Sequence, residues 1–162
     1  MTESLWLEQI QDHTSRLCLV NAQSPRTLLE QASRFHTLAD PWRGQLICVI
    51  AGEVGREVAT VSADGDIQTF SGLPDDVEWR PQAFSTDGKH LLLVGVDTSA
   101  HIRVLGICCV SDAGRTHFSL KYLLKIDGHL SCVSPQFCDD RIGVFVRSDG
   151  ETVSRYHEWS YT

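Results

Sequence analysis

Basic residues are scarce in this chain. Only 14 Lys and Arg stand against 21 Asp and Glu, a formal charge of −7 at pH 7. They form no cluster, and neutralising a phosphate backbone needs one, so nucleic acid is excluded as a partner class. The same acidity repels an anionic membrane surface and favours a basic protein partner. Long apolar runs are missing too. The longest, Leu46 to Ala51 and Val104 to Val110, stop far short of a bilayer span. The opening Met-Thr-Glu-Ser-Leu-Trp has neither the basic start nor the apolar stretch of an export signal, so the expected compartment is cytoplasmic. Catalytic motifs are absent as well: there is no Gly-x-Ser-x-Gly elbow and no His-Glu-x-x-His pair. Gly52-Glu53-Val54-Gly55 lacks the further glycines and the lysine of a phosphate loop. The expectation is a protein that is not an enzyme and carries no cofactor.

What is present describes a globular chain of 162 residues, 42% apolar and 22% charged, long enough for one domain over 1–162. Six cysteines do not make a disulfide framework, because Cys18, Cys48, Cys108 and Cys109 fall inside apolar runs, where a thiol packs as a small hydrophobe. Residues 1–44 read as a helical N-terminal segment, with a short strand over Arg16–Val20 between two helices. Thr2 is a candidate N-cap for a helix over 3–13, with Leu5, Trp6 and Ile10 on one face. Ser24 and Pro25 open a second helix whose Leu28, Ala32, Phe35 and Ala39 recur at helical spacing, widened by Leu29 and Leu38 and closed at Asp40-Pro41.

From residue 45 to 162 the pattern changes to antiparallel β. Leu46–Ala51, Glu57–Ser62, Asp66–Phe70, His90–Val96, Ile102–Ser111, Thr116–Ile126, Arg141–Arg147 and Thr152–Trp159 are rich in β-branched and aromatic residues. Asp64-Gly65, Asp87-Gly88, Ala113-Gly114, Asp127-Gly128 and Asp149-Gly150 punctuate them with tight-turn chemistry, which leaves no room for crossover helices. The fold class predicted is mainly antiparallel β with N-terminal helices, either α+β or an open sheet, with partial β-propeller-like blades as the alternative.

That alternative rests on a repeat. Residues 81–94, beginning Pro81-Gln82-Ala83-Phe84, align with 135–146, beginning Pro135-Gln136-Phe137, at a spacing of about fifty residues. Phe84-Ser85-Thr86-Asp87-Gly88-Lys89-His90-Leu91-Leu92-Leu93 resembles the inner hairpin of a WD40-like or TolB-like propeller blade, and the resemblance extends over 77–160. Thr86 stands where those families have proline. The resemblance implies blades of four strands. A closed ring takes about four to eight such blades, more than this chain supplies.

Among candidate sites, His129, Cys132 and Cys138 lie within ten residues of one another, but structural zinc takes four ligands in paired short spacings. Nothing selects a fourth from His117, Cys108 or Cys109, so no metal is expected. The carboxylate pairs Asp75-Asp76 and Asp139-Asp140 sit beside turns and read as solvated loop acids. Asp75, Asp76, Glu78 and Trp79 form an acidic, aromatic-containing loop after Gly72-Leu73-Pro74, and they are the candidate binding residues. Trp79 fits either an interface or the end of a core. Tyr156, Trp159 and Tyr161 crowd the C-terminal stretch, with Trp159 read as core. The function expected is a non-enzymatic protein–protein interaction module that presents this loop to a partner protein, basic partners being the ones its charge favours. Three alternatives stay open: an immunity or inhibitor protein that neutralises a basic toxin or enzyme, a subunit of a homo- or hetero-oligomeric assembly completed by hairpin pairing, and a small cysteine- or metal-dependent enzyme.

Overall fold

The computed structural model of the protein describes residues 5–20, 25–53, 55–111, 117–126 and 130–161, with the side chains at 111, 117 and 130–134 outside that description. Among the described residues every regular element is a β-strand. In chain order they are β1 (Leu5–Gln11), β2 (Thr14–Val20), β3 (Pro25–Gln31), β4 (Leu38–Ala39), β5 (Leu46–Ala51), β6 (Arg56–Val61) and β7 (Ile67–Thr69). These are followed by β8 (Val77–Phe84), β9 (His90–Asp97), β10 (Ile102–Ser111), β11 (His117–Ile126), β12 (Leu130–Cys138), β13 (Arg141–Ser148) and β14 (Arg155–Ser160). They form four antiparallel sheets, each a meander in chain order: β1-β2-β3, β4-β5-β6-β7, β8-β9-β10-β11 and β12-β13-β14. None closes on itself. By contacts the chain divides into two compact units, Met1–Thr69 with the first two sheets and Phe70–Thr162 with the last two.

The antiparallel hairpins expected past residue 45 are there. The helices expected before it are not, and the fold is all-β rather than α+β. The segment read as a first helix is instead the first strand and turn of a hairpin, in which Gln11 faces Thr14 across the two-residue loop Asp12-His13, and the strand read over Arg16–Val20 falls within β2. Both loop residues have positive φ, 50° and 63°, the conformation of a type I′ turn, whose twist suits paired strands. The segment read as a second helix opens with Pro25 as the first residue of β3. That strand lies at a sheet edge, where a missing N–H costs no ladder bond. Leu28 and Leu29 look like a widened helical stripe but straddle a β-bulge, since Leu17 faces Leu29 while Cys18 faces Thr27. The caps proposed at Thr2 and Ser24 lie outside the described residues, as do the turns at Ala113-Gly114 and Asp127-Gly128.

Long-range bonds then hold residues 31–40 in an irregular, non-helical path, with His36 at a φ of 48°. The Gln31 amide bridges β5, its Nε2 donating to Val49 O at 3.0 Å and its Oε1 accepting from Ala51 N at 2.9 Å. Val49 N donates to Phe35 O. Glu8 accepts from Arg34 Nε at 3.2 Å and from Phe35 N at 2.9 Å. Burial pushes the Glu8 carboxyl up, but those donors outweigh it and hold the group below its ordinary value. Phe35 is thereby fixed in the core of its unit with Leu17, Leu46, Cys48 and Val61, against Trp6, Leu28, Leu29 and Ile50. Asp40 ends no helix. It accepts from Trp42 N and Arg43 N and shapes the turn between β4 and β5.

Past residue 45 two strands, β8 and β12, were not anticipated; each contains a proline, Pro81 and Pro135. Both lie on edge strands, and Pro81 sits at a bulge. In the second unit Leu91, Leu92 and Leu93 are successive and fully buried, so both faces of β9 are withdrawn from solvent. One face carries Leu92, Leu105, Ile107 and Ile126 against Ile142 and Val144 of β13, with Tyr161. The other carries Trp79, whose indole lies over Gly95 of β9 and Gly106 of β10. A Cβ on Gly95 would strike Val77 and approach Trp79 Cε3 at 2.9 Å, and one on Gly106 would lie 3.0 Å from Cζ3. Two carboxylates lock the turns of this sheet. Asp87 accepts from Ser85 Oγ at 2.7 Å and Lys89 N at 3.0 Å. Asp97 accepts from Ala100 N at 3.0 Å and from Ser99 Oγ and N.

Gly95→Ala is expected to lower stability by about 1–3 kcal/mol through overpacking, and Trp79→Ala by about 3–5 kcal/mol, both read from urea midpoints. Because the two sites share one contact, Gly95→Ala costs less in the Trp79→Ala background than alone. A second expectation concerns acid. Hydrogen bonds from Ser85 and Lys89 depress the Asp87 carboxyl, and those from Ala100 and Ser99 depress Asp97. Their contribution is complete above the unfolded carboxyl pKa of about 3.9 and is lost as pH falls through the lower folded values. Urea midpoints followed from about pH 6 to about pH 2 decline, and Asp87→Asn/Asp97→Asn, less stable at the upper end, shows the shallower decline.

Candidate functional site

The acidic stretch singled out from sequence forms an exposed corner at the start of β8. Strand alternation sorts its residues: Val77 and Trp79 turn inward, while Glu78 and Arg80 face solvent. Asp75 and Asp76 are exposed in the turn just before. The corner's backbone is tied down twice. Thr98 donates to Asp76 O from N at 3.0 Å and from Oγ1 at 3.1 Å, and Trp79 Nε1 donates to Pro74 O at 3.4 Å. Three of the four predicted residues therefore share a surface. Trp79, only 6% exposed, does not join them; it anchors the corner from beneath. Among the described residues, no ion pair or side-chain hydrogen bond occupies the three carboxylates.

A second constellation, missed in the sequence, lies on the outward face of the fourth sheet. Gln136 and Cys138 of β12, Arg141, Gly143 and Phe145 of β13, and Tyr156 and Glu158 of β14 share that face by register. The Tyr156 hydroxyl lies 3.4 Å from Cys138 Sγ and donates to Glu158 Oε1 at 3.0 Å. Arg141 Nη1 meets Glu158 at 3.3 Å. Gly143 makes the arrangement possible, since a Cβ there would collide with the Tyr156 hydroxyl and sit 2.9 Å from Cys138 Sγ. The contacts with Cys138 and Glu158 raise the Tyr156 pKa above its ordinary value, the Glu158 carboxylate both accepting the phenol proton's hydrogen bond and repelling a phenolate. A glycine at mid-strand and polar residues alternating with Tyr156 were the available signals.

The remaining candidates scatter. Trp159 packs against the core, and Tyr161 is buried with its hydroxyl donating to Asp139 O at 3.2 Å. Asp139 and Asp140 are exposed in the turn between β12 and β13. His129 and the side chains of Cys132 and His117 lie outside the described residues. Among the described residues no group of three His, Cys, Asp or Glu is arranged to hold a metal. Cys18, Cys48, Cys108, Cys109 and Cys138 are free thiols. Burial pushes Cys48 and Cys108 up to about 12, which keeps both protonated and unreactive. A cleft of about 210 Å³ opens between Ile126 of β11 and Val146, Arg155, His157 and Trp159 of the fourth sheet, with Glu151 beside it. Glu151 pairs with Arg155 at 3.4 Å and offsets its charge. No described helix is long and apolar enough to cross a membrane.

No protein-family model matches the chain, and no curated protein matches it. The geometry of its own residues carries the functional reading.

Glu158→Gln is expected to lower the Tyr156 pKa, because the neutral amide no longer repels the phenolate and accepts a weaker hydrogen bond. Ultraviolet titration of the variant against the parent, with Tyr156→Phe to assign the transition, reads the shift. An unchanged or higher value contradicts the hydrogen-bond arrangement.

Proposed function

We propose that the chain is a non-enzymatic protein-interaction module that offers the corner Asp75-Asp76-Glu78 to a basic surface on a partner protein. The observation that carries this reading is three exposed, unpaired carboxylates on a backbone held by Thr98 and Trp79. A preorganised cluster of this kind loses little conformational freedom on binding, and its charge speeds encounter with a basic partner. The meanders β8–β11 and β12–β14 serve, on this reading, as blade-like scaffolds of the WD40-like or TolB-like kind, with recognition left to loops and edges. Five free thiols support a reducing, cytoplasmic setting.

The test is recovery of bound protein from native lysate on immobilised wild-type chain, on Asp75→Lys/Glu78→Lys, and on Glu53→Lys/Asp64→Lys. The last pair makes the same change in net charge at exposed positions elsewhere. Reversing two attractive rim charges is expected to cut recovery of the wild-type partner about tenfold. The control pair leaves recovery within about twofold, and added salt weakens wild-type capture. Equal losses in both variants make the effect one of net charge and overturn the assignment to this corner.

A further inference from the structure

The third sheet ends at β11, whose outer edge has a character unlike the rest of this acidic chain. The sequence contains three lysines, Lys89, Lys121 and Lys125, and two of them lie on this strand. Lys121, Tyr122, Leu123 and Lys125 are all exposed, with Tyr122 at 46% and Leu123 at 42%. Among the described residues neither Lys121 nor Lys125 makes an ion pair or a side-chain hydrogen bond. The register puts Leu123 and Lys125 on one side of the edge and Tyr122 and Leu124 on the other, while Lys121 is the extra residue of a β-bulge opposite Ile107 and Cys108. The edge already accepts backbone at one end. Ser71 bridges Ser119 in parallel, with Ser71 N donating to Phe118 O and Leu120 N donating to Ser71 O, both at 3.1 Å. The chain then turns away at Gly72, whose φ of 77° suits glycine, and β11 continues as the last strand of its sheet.

We infer that the stretch from Lys121 to Lys125 receives an extended acidic segment of a partner protein by strand addition. Main-chain bonds supply the affinity in such a complex, and alternating side chains select the partner. The complementary segment carries carboxylates opposite Lys121 and Lys125, with apolar residues between them facing Tyr122, Leu123 and Leu124. A second copy of this strand is the wrong occupant: centred on Leu123 in an antiparallel pair, it would set each Lys121 opposite a Lys125, and directly opposed like charges are destabilising. This surface is separate from the acidic corner, so either proposal can fail without the other.

The probe is a fluorescein-labelled peptide with two glutamates flanking three apolar residues, titrated by anisotropy against the full chain. Saturable binding is expected, weakened at least about tenfold by Lys121→Glu/Lys125→Glu. Both side chains are exposed, and far-UV circular dichroism verifies that the variant keeps its fold. The same peptide with lysines in place of glutamates is expected not to bind. A third version, N-methylated at alternate residues so that one edge cannot pair, is expected to lose binding as well. The inference is overturned if the glutamate peptide does not bind the wild-type chain, if it binds the double variant equally, or if N-methylation has no effect, which would indicate side-chain adsorption. Self-association of the wild-type chain that Lys121→Glu/Lys125→Glu abolishes would assign the edge to a second copy and equally overturn it.

Discussion

The contact between the Trp79 indole and two glycines ties the interior of the second unit to its surface. Gly95 and Gly106 present no side chains, so a large flat ring can lie directly on the backbones of β9 and β10. Burying a ring of this size is a major stabilising term for one residue. An indole also brings an N–H that must find an acceptor when withdrawn from water. Here the acceptor is Pro74 O, immediately before Asp75 and Asp76. Satisfying a core residue's polar atom therefore fixes the position of the loop, and the acidic corner inherits its rigidity from the packing below.

Eight sheet-edge strands arise from four open meanders, and each is exposed to unwanted pairing unless something blunts it. Pro25, Pro81 and Pro135 stand on three of them, β3, β8 and β12, each removing a donor where the ladder does not need one. β4 and β7 are protected by brevity, at two and three residues. β14 carries alternating charged and aromatic residues, with Glu158 already engaged by Tyr156 and Arg141. β11 has no proline and runs for ten residues. Its lysines are its visible protection against pairing with itself, and the same charges select what can pair with it.

How much of this could be read from the residues depended on the range of the interactions involved. The hairpins at Asp64-Gly65, Asp87-Gly88 and Asp149-Gly150 were legible because each glycine takes the positive φ that its turn requires, 89°, 71° and 80°. The Asp12-His13 turn does the same work without glycine, and the apolar spacing of Leu5, Trp6 and Ile10 before it then suggested a helix. For residues 25–39 the deciding contacts come from far along the chain: Gln31 reaches Val49 and Ala51, and Glu8 reaches Arg34 and Phe35. Tertiary bonds of that kind override a helical pattern and leave no local trace. The carboxylates of the acidic corner were visible as composition, whereas the inward turn of Trp79 followed only once β8 supplied an alternation. The Tyr156–Cys138 pair spans three strands, and its register was not available from spacing alone.

One sheet carries charges of opposite sign at its two ends, and whether they cancel is a question of distance. Register places Glu78 opposite Val96, Val96 opposite Arg103, and Arg103 opposite Ile126, next to Lys125. Glu78 and the lysine end of β11 are thus separated by three strand spacings, about 14 Å at roughly 4.8 Å each. Screening at physiological ionic strength acts over about 8 Å. Charges at that separation across a surface bathed in salt interact weakly, so the acids and the lysines remain independently available to partners. Asp97 lies between them, and its hydrogen bonds are directed into its own turn, to Ser99 and Ala100. It shapes the loop, and beyond those bonds it feels, of the two fields, that of Lys125, which helps hold its carboxyl below the ordinary value. A sheet wide enough to keep its ends electrostatically separate can present an acidic corner and a basic edge at once, and a two-stranded hairpin of the same composition cannot.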